Sequence, residues 1–389
     1  MKVLWIVDNK LRELYGLYNL KNNFKKRGLS LIIVNKANWY SAVKFYNPSL
    51  VISPNIKSLG KSIIKFCKIR NIKTIHYSSE GLNYQKSKLS ELYPTDFTNL
   101  FDYLLCWSDQ EKKYLDSLGY KDKTLTIGNF KYMKRKIDIE NSNKLKIKVI
   151  GISTSSRYFT SRYDKNIFSV ISDRPKNSRA WGNLHNEIDY IYFITDLIKK
   201  LILNNFKVII RPHPFEDPKI YKKAFKDCEI DTSNNAYDFI NKVDLVINQF
   251  SSISVEALYA NKPVISIFKN IPIHEGLSFM KGFIPAHFGR NFKNSESILE
   301  FLISNNSTLS DYCNKEDIKL IDLIAPNINT EEILTDLIKK IEIKKKNTNY
   351  LYFFEFLLKE LYVQVFRKGS TFFCPFKPSD YKILKDFKL

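Results

Sequence analysis

The feature that most constrains this chain is an alternation. Short, continuous apolar runs are each followed by a stretch of helical periodicity. Val3, Leu4, Trp5, Ile6 and Val7 form the first run; Leu17, Leu20 and Phe24 then fall on one helical face, with Gly28 just past its end. Leu31-Ile32-Ile33-Val34 and Leu50-Val51-Ile52, which ends in Ser53-Pro54, continue the series, as do residues 72–77, 103–107 and 125–127. Uninterrupted apolar runs separated by helices predict α/β architecture: a parallel sheet covered on both faces. Near residue 128 the pattern breaks at Gly128-Asn129, followed by Lys134-Arg135-Lys136 and the polar residues 140–144, which reads as a passage between domains. A second series then starts, with runs at 146–152, 208–211, 245–248 and 264–268 and a long helix around 188–201. At 389 residues the chain is too long for one ordinary core. The expectation is two Rossmann-like halves, residues 1–140 and 141–330, facing each other across a cleft at their carboxyl strand ends, and a helical tail over 331–389.

The charge balance is strongly basic, 62 Lys and Arg against 40 Asp and Glu, or +22. Such a field attracts anions without choosing among them. With no dense basic arm, zinc-finger spacing or aromatic RNA-binding signature, nucleic acid is not an expected partner. Five widely spaced cysteines without a CxxC argue against a disulfide framework and for a reducing cytoplasm. The first apolar run is too short for a signal peptide, and no run reaches the roughly 18 apolar residues of a membrane span. The aromatic stretch 350–366, flanked by Lys344-Lys345-Lys346 and Arg367-Lys368, reads as a helix packed back on the other domain. Its alternative is a surface touching anionic lipid at the inner face of the membrane.

Two strand ends carry the chemistry. Val208-Ile209-Ile210 runs into Arg211-Pro212-His213-Pro214, where the prolines stiffen the loop and fix where His213 points. An imidazole there can donate to a phosphate oxygen and stabilise a leaving phosphate. A lone histidine is more often satisfied by a nearby backbone group; two prolines and a strand end tilt the reading toward function. Asp244 to Asn248 leads through Gln249-Phe250 into Ser251-Ser252 and a helix. Either serine can cap that helix, leaving free N–H groups for an anion. Glu256, one turn on, is placed to accept from ribose hydroxyls, or is a solvated charge. Ser153, Ser155 and Arg157 after the first strand of this half suit a phosphate or carboxylate, and equally an ordinary polar turn.

A His-Pro element followed by Ser-Ser at a helix start resembles the GT-B glycosyltransferases that use CMP-activated acidic sugars: bacterial sialyl- and polysialyltransferases, Kdo transferases of capsule assembly and related surface-carbohydrate proteins. Teichoic-acid glycerophosphotransferases share a similar pair. The resemblance covers about residues 1–330. It implies a GT-B-like fold with an N-terminal acceptor domain and a C-terminal nucleotide-sugar domain, and that His213, Ser251 and Ser252, with Arg211 and Pro214 beside them, hold the CMP phosphate. Those families also carry an acidic pair before a glycine; the matching place is Ser79-Glu80-Gly81, with Ser79 where the first acid would be. Glu80 is therefore the candidate general base, with Asp8 at the end of the first strand as fallback. The loop Asp8-Asn9-Lys10-Leu11-Arg12-Glu13 would face the acceptor, with Lys10 and Arg12 binding an anionic group.

His274, Glu275 and His287 follow, without convincing metal spacing. No DxD element follows a strand, so neither a metal nor another cofactor is expected. The reading that results is transfer of an acidic sugar, sialic-acid-like or Kdo-like, from a CMP donor to a cell-surface glycan or glycolipid. Its rivals are a CDP-polyol phosphate transferase of teichoic-acid type and a non-catalytic CMP-binding component of a glycan-assembly complex.

Overall fold

The computed structural model describes residues 1–8, 10–54, 58–78, 93, 98–130, 145–156, 159–160, 179–214, 216–233, 235–272, 284–304, 307–313, 315–324, 326, 328–341 and 346–366. The chain forms two compact units: Met1–Leu82, Lys86–Lys134 and Asp322–Leu389 make the first, Asn83–Gln85 and Arg135–Ile321 the second.

In the first unit, β1 (Lys2–Val7), β2 (Ser30–Asn35), β3 (Leu50–Ser53), β4 (Lys73–Tyr77), β5 (Tyr103–Cys106) and β6 (Thr124–Thr126) form one sheet in the order β2-β1-β3-β4-β5-β6. Every pairing is parallel. Val3 to Val7 and Leu50 to Ile52 are fully buried, as expected for strands covered on both faces. Helices α1 (Lys10–Lys26), α2 (Trp39–Tyr46), α3 (Ser58–Ile69) and α4 (Asp109–Ser117) provide crossovers.

The first turn of α1 begins where the sequence reading expected an acceptor loop. Glu13, buried in that turn, accepts the Asp8 backbone N–H at 3.0 Å, and Leu17, Leu20 and Phe24 bury the helix face. The helix therefore takes in Lys10 and Arg12, a correction to their expected loop. Gly16 lets α1 meet Phe130: a Cβ there would stand 2.3 Å from the ring. Phe130 in turn packs edge-on against Trp5 and tilted against Tyr77, with centroids 5.4 and 5.3 Å away.

The second unit holds β7 (Val149–Ser153), α5 (Arg179–Leu203), β8 (Lys207–Arg211), α6 (Pro218–Ala224), β9 (Glu229–Ile230), α7 (Ala236–Lys242), β10 (Leu245–Asn248), α8 (Ile253–Tyr259), β11 (Val264–Ser266), β12 (Arg290–Asn291) and α9 (Ser295–Ser304). Its sheet runs β12-β11-β10-β7-β8-β9, again all parallel. Tyr190, Ile194, Leu197, Ile198 and Leu201 of α5 close over Ile150, Ile152, Val208 and Ile210 in one core cluster. Helix α10 (Lys315–Ile324) spans the point where the chain passes back to the first unit.

The tail contributes α11 (Thr330–Lys340) and α12 (Phe353–Phe366). Asn23 of α1 donates to Glu331, and Phe356 of α12 stacks on Phe45 of α2, centroids 5.5 Å apart. Both contacts lie in the first unit. Two Rossmann-like parallel-sheet units of GT-B-like type are thus observed. No helix among the described residues is long and apolar enough to cross a membrane.

Candidate functional site

The second sheet fixes where a ligand would sit. From β7 the chain winds to β8 and β9 on one side, then restarts beside β7 with β10, β11 and β12 on the other. The reversal of strand order lies between β7 and β10, and in open α/β sheets ligands occupy the crevice beyond the carboxyl strand ends at such a point. Ser153 pairs with Arg211 and Ile152 with Ile247 in register, so the loops after β7, β8 and β10 leave one edge at one level. Ser153 closes β7 and Ser155 follows it; the other two loops carry His213 and Pro214, then Ser251 and Ser252, with Glu256 in the first turn of α8. All but Ser153 are half-buried.

Glu216, which sequence reading overlooked, joins two of these loops. Its carboxylate is fully buried. One oxygen accepts the Thr154 hydroxyl and the His213 backbone N–H, each at 2.5 Å. The other accepts the Tyr221 hydroxyl at 3.0 Å and the Ser156 backbone N–H. Burial raises the Glu216 carboxyl above its ordinary value while these four donors oppose the shift, and burial beside that carboxylate pushes the Tyr221 hydroxyl upward. A buried carboxylate is costly unless its lone pairs are filled; once filled, it imposes a single loop geometry. A second buried acid, Glu187 of α5, accepts the Ser156 hydroxyl at 3.2 Å and the Phe159 N–H at 3.4 Å. The only sequence sign of this clamp is an acid three residues after a proline-flanked histidine.

Arg211 has a different environment from the one expected of a phosphate ligand. Its guanidinium pairs with the fully buried Asp231 carboxylate and donates to the Ser233 hydroxyl at 2.9 Å and carbonyl at 3.3 Å. Lys242 reaches the other Asp231 oxygen at 3.2 Å. Arg211 thereby ties β8 to the segment following β9.

The Ser251 turn is built by Asn248. Its side-chain amide donates to the Ser251 carbonyl at 2.9 Å, and its oxygen accepts the Ser251 N–H at 3.1 Å. The Ser251 hydroxyl then accepts the Ile253 N–H at 3.3 Å. Ser252 occupies the N-cap position but makes no side-chain cap bond, so capping falls to Ser251 alone. Beside this turn Phe250 meets Phe268 edge-on at 5.2 Å, and Phe268 meets the His287 ring at 4.8 Å.

Asp8 directly follows β1, at the point in the first sheet where strand order reverses between β1 and β3. Lys36 holds its carboxylate at 2.7 Å. Glu80, Arg157, His274 and Glu275 lie outside the described residues, as do the side chains of Lys10 and Arg12.

Comparison with known proteins adds two findings. Residues 184–319 match the family model described as CDP-Glycerol:Poly(glycerophosphate) glycerophosphotransferase. This segment contains the His213 loop, Glu216 and the Ser251 turn. Among solved structures, the chain is similar to the wall teichoic acid polymerase TagF, at 16% identity, with 87% of this chain and 88% of that chain covered and a TM-score of 0.51. It is similar to the UDP-GlcNAc 2-epimerase of Methanocaldococcus jannaschii at 12% identity, with 87% and 100% covered and a TM-score of 0.51. At such identities these likenesses show the fold. No curated protein sequence matches.

Proposed function

We propose that this chain transfers a polyol phosphate from a CDP-linked donor to a hydroxyl of a surface glycan, releasing CMP. The observation that carries the reading is the glycerophosphotransferase family match over residues 184–319, a segment that includes the strand ends bearing His213 and Ser251. That match favours a polyol phosphate over the acidic sugar expected from sequence.

In this reaction an acceptor oxygen attacks the β-phosphorus of the donor. The new P–O bond forms as the anhydride bond to the α-phosphate breaks, and its electron pair leaves with CMP. The acceptor proton passes to a base, for which Asp8 and Glu80 are the candidates. Charge grows on the α-phosphate as it departs, and preorganised donors aimed there lower the barrier. The His213 imidazole, held by a loop whose backbone is anchored on Glu216, supplies one donor. The Ser251-Ser252 turn supplies others, and Glu256 a ribose contact.

The test pairs donors. CDP-glycerol and CDP-ribitol are incubated beside CMP-sialic acid and CMP-Kdo with a glycan acceptor, and CMP release and transferred group are both measured. CMP release with polyol phosphate on the acceptor is expected. Turnover of the CMP-sugars alone would replace this reading with acidic-sugar transfer. Thermal stabilisation by CMP without turnover of any donor would leave a binding component.

A further inference from the structure

The chain has five histidines, and the structure sorts the four described ones by surroundings. His76 is buried in the first unit, where its Nδ1 meets the Ser53 carbonyl at 3.1 Å. His185 is exposed in the second turn of α5. His213 and His287 both lie beside carboxyl strand ends of the second sheet, and the reaction proposed above uses only His213.

Two serines set the place of His287. It ends a short 3₁₀ helix, Ile284–His287. The Ser254 hydroxyl, from the first turn of α8, donates to the Pro285 carbonyl at 2.8 Å. The Ser266 hydroxyl, from the last residue of β11, donates to the Ala286 carbonyl at 2.6 Å. Both serines are buried, so water does not compete for these bonds. Gly289 then turns the chain into β12 at φ +89°, where a Cβ would run into the Val264 carbonyl. The segment is thus tied to the edge of the sheet that carries Ser251. The His287 ring stands edge-on to Phe268 at 4.8 Å, and Phe268 meets Phe250, two residues from Ser252, at 5.2 Å. Phe268 is buried, whereas Phe250 and His287 are half-buried, so part of His287 stays accessible beside the turn that follows β10.

A CDP-linked donor has two phosphates, and only the α-phosphate stays on CMP. In the proposed reaction His213 serves that one. The β-phosphate is the group in transit, and charge is spread over its outer oxygens while it moves. Arg211 is matched to Asp231. An imidazole N–H donates to a phosphate oxygen whether the ring is neutral or protonated, and such a donor, fixed in advance, lowers the barrier. We propose that His287 donates to the β-phosphate of the donor, so that the two phosphates are divided between two histidines. The assignment rests on the CDP-donor reading and adds to it the group that recognises what CMP lacks.

The experiment is titration calorimetry of the full chain with CMP, CDP and CDP-glycerol. Wild type is expected to bind all three. His287→Ala should hold CMP within about twofold of wild type and bind CDP and CDP-glycerol at least tenfold more weakly, at an unchanged melting temperature. His213→Ala should weaken all three. Should His287→Ala misfold, His287→Phe keeps a ring against Phe268, removes both nitrogens and gives the same readout. CMP binding together with unaltered CDP binding in these variants would overturn the role of His287 alone, as would equal losses for CMP and CDP. A loss confined to CDP-glycerol would move the contact from the phosphate to the glycerol and overturn it too. Wild type that binds none of the three would overturn the CDP-donor reading itself, and the role of His287 with it.

Discussion

Replacing Glu216 with glutamine asks whether one buried carboxylate sets the position of the His213 loop. Each carboxylate oxygen accepts one hydroxyl and one backbone N–H: Thr154 and His213 on one, Tyr221 and Ser156 on the other. A glutamine keeps a single oxygen. The hydroxyl facing its new NH2 can rotate and accept, but a backbone N–H cannot. In either orientation one amide, that of His213 or of Ser156, is left facing a donor in a buried place, at about 1–3 kcal/mol. Removing a charge that burial disfavours offsets part of this, leaving a net loss of about 1–2 kcal/mol. For a unit of this size that corresponds to a melting temperature lower by roughly 2–8 °C. Calorimetry measures the loss, and amide hydrogen exchange locates it: the His213 or Ser156 amide should exchange faster while β10 is unaffected. Donor KM should rise along with it, because the histidine is held less firmly. An unchanged melting temperature together with unchanged exchange at both amides would refute the clamp.

The remaining predictions concern single groups. His213→Ala should remove nearly all CMP release while the protein stays folded by circular dichroism. Arg211→Ala should behave in the opposite way. It strips the buried Asp231 of its nearest cation and leaves Lys242 at 3.2 Å, so it should cost about 3 kcal/mol in urea unfolding and change donor KM less than His213→Ala does. In the first unit, burial raises Glu111 from its ordinary 4.5 to about 7, against donors from Tyr93 and Trp107. The folded carboxyl holds its proton more tightly than the unfolded one. Its favourable contribution is therefore complete below pH 4.5 and is lost as pH rises through 7, about 3 kcal/mol in all. Glu111→Gln should flatten the urea midpoint across that window. Gly16→Ala places a Cβ against the Phe130 ring and should cost about 1–3 kcal/mol by the same assay.

What the sequence disclosed follows from which features have a local cause. The strands are legible because burial on both faces demands unbroken apolar runs, and Val3 to Val7 or Leu245 to Ile247 cannot be read as half-exposed strands. The edge strands β9 and β12 are two residues long and have no such run, so Glu229–Ile230 and Arg290–Asn291 carry no signal. The His213 loop and Ser251 turn are legible because prolines and serines impose local geometry. Glu216 was not, because its role depends on Thr154 and Ser156, some sixty residues earlier, folding beside it. The ion pair of Arg211 with Asp231 was hidden for the same reason: it lies across a strand pairing that sequence alone does not reveal. The start of α1 looked like a polar loop because Lys10 and Arg12 mask a turn whose anchor is the buried Glu13.

These placements bear on what kind of leaving group the second unit can stabilise. At the described strand ends the one guanidinium, Arg211, is matched to Asp231, and two buried carboxylates, Glu216 and Glu187, stand behind the β7 loop. The other groups expected to meet an anion there, the His213 imidazole, serine hydroxyls and backbone N–H donors, each carry a partial charge or a single titratable one. Such a set suits a departing monoester phosphate, with one to two charges, better than a diphosphate that must be neutralised across two centres. Both CMP-releasing readings meet this condition, which is why phosphate geometry cannot choose between them. The choice lies in what the donor carries beyond its α-phosphate. A polyol phosphate brings a second phosphate to the reacting centre, whereas an acidic sugar brings a carboxylate on carbon. The segment that contacts this group decides the donor, so His213→Ala should lower CMP release from either kind of donor without converting one preference into the other.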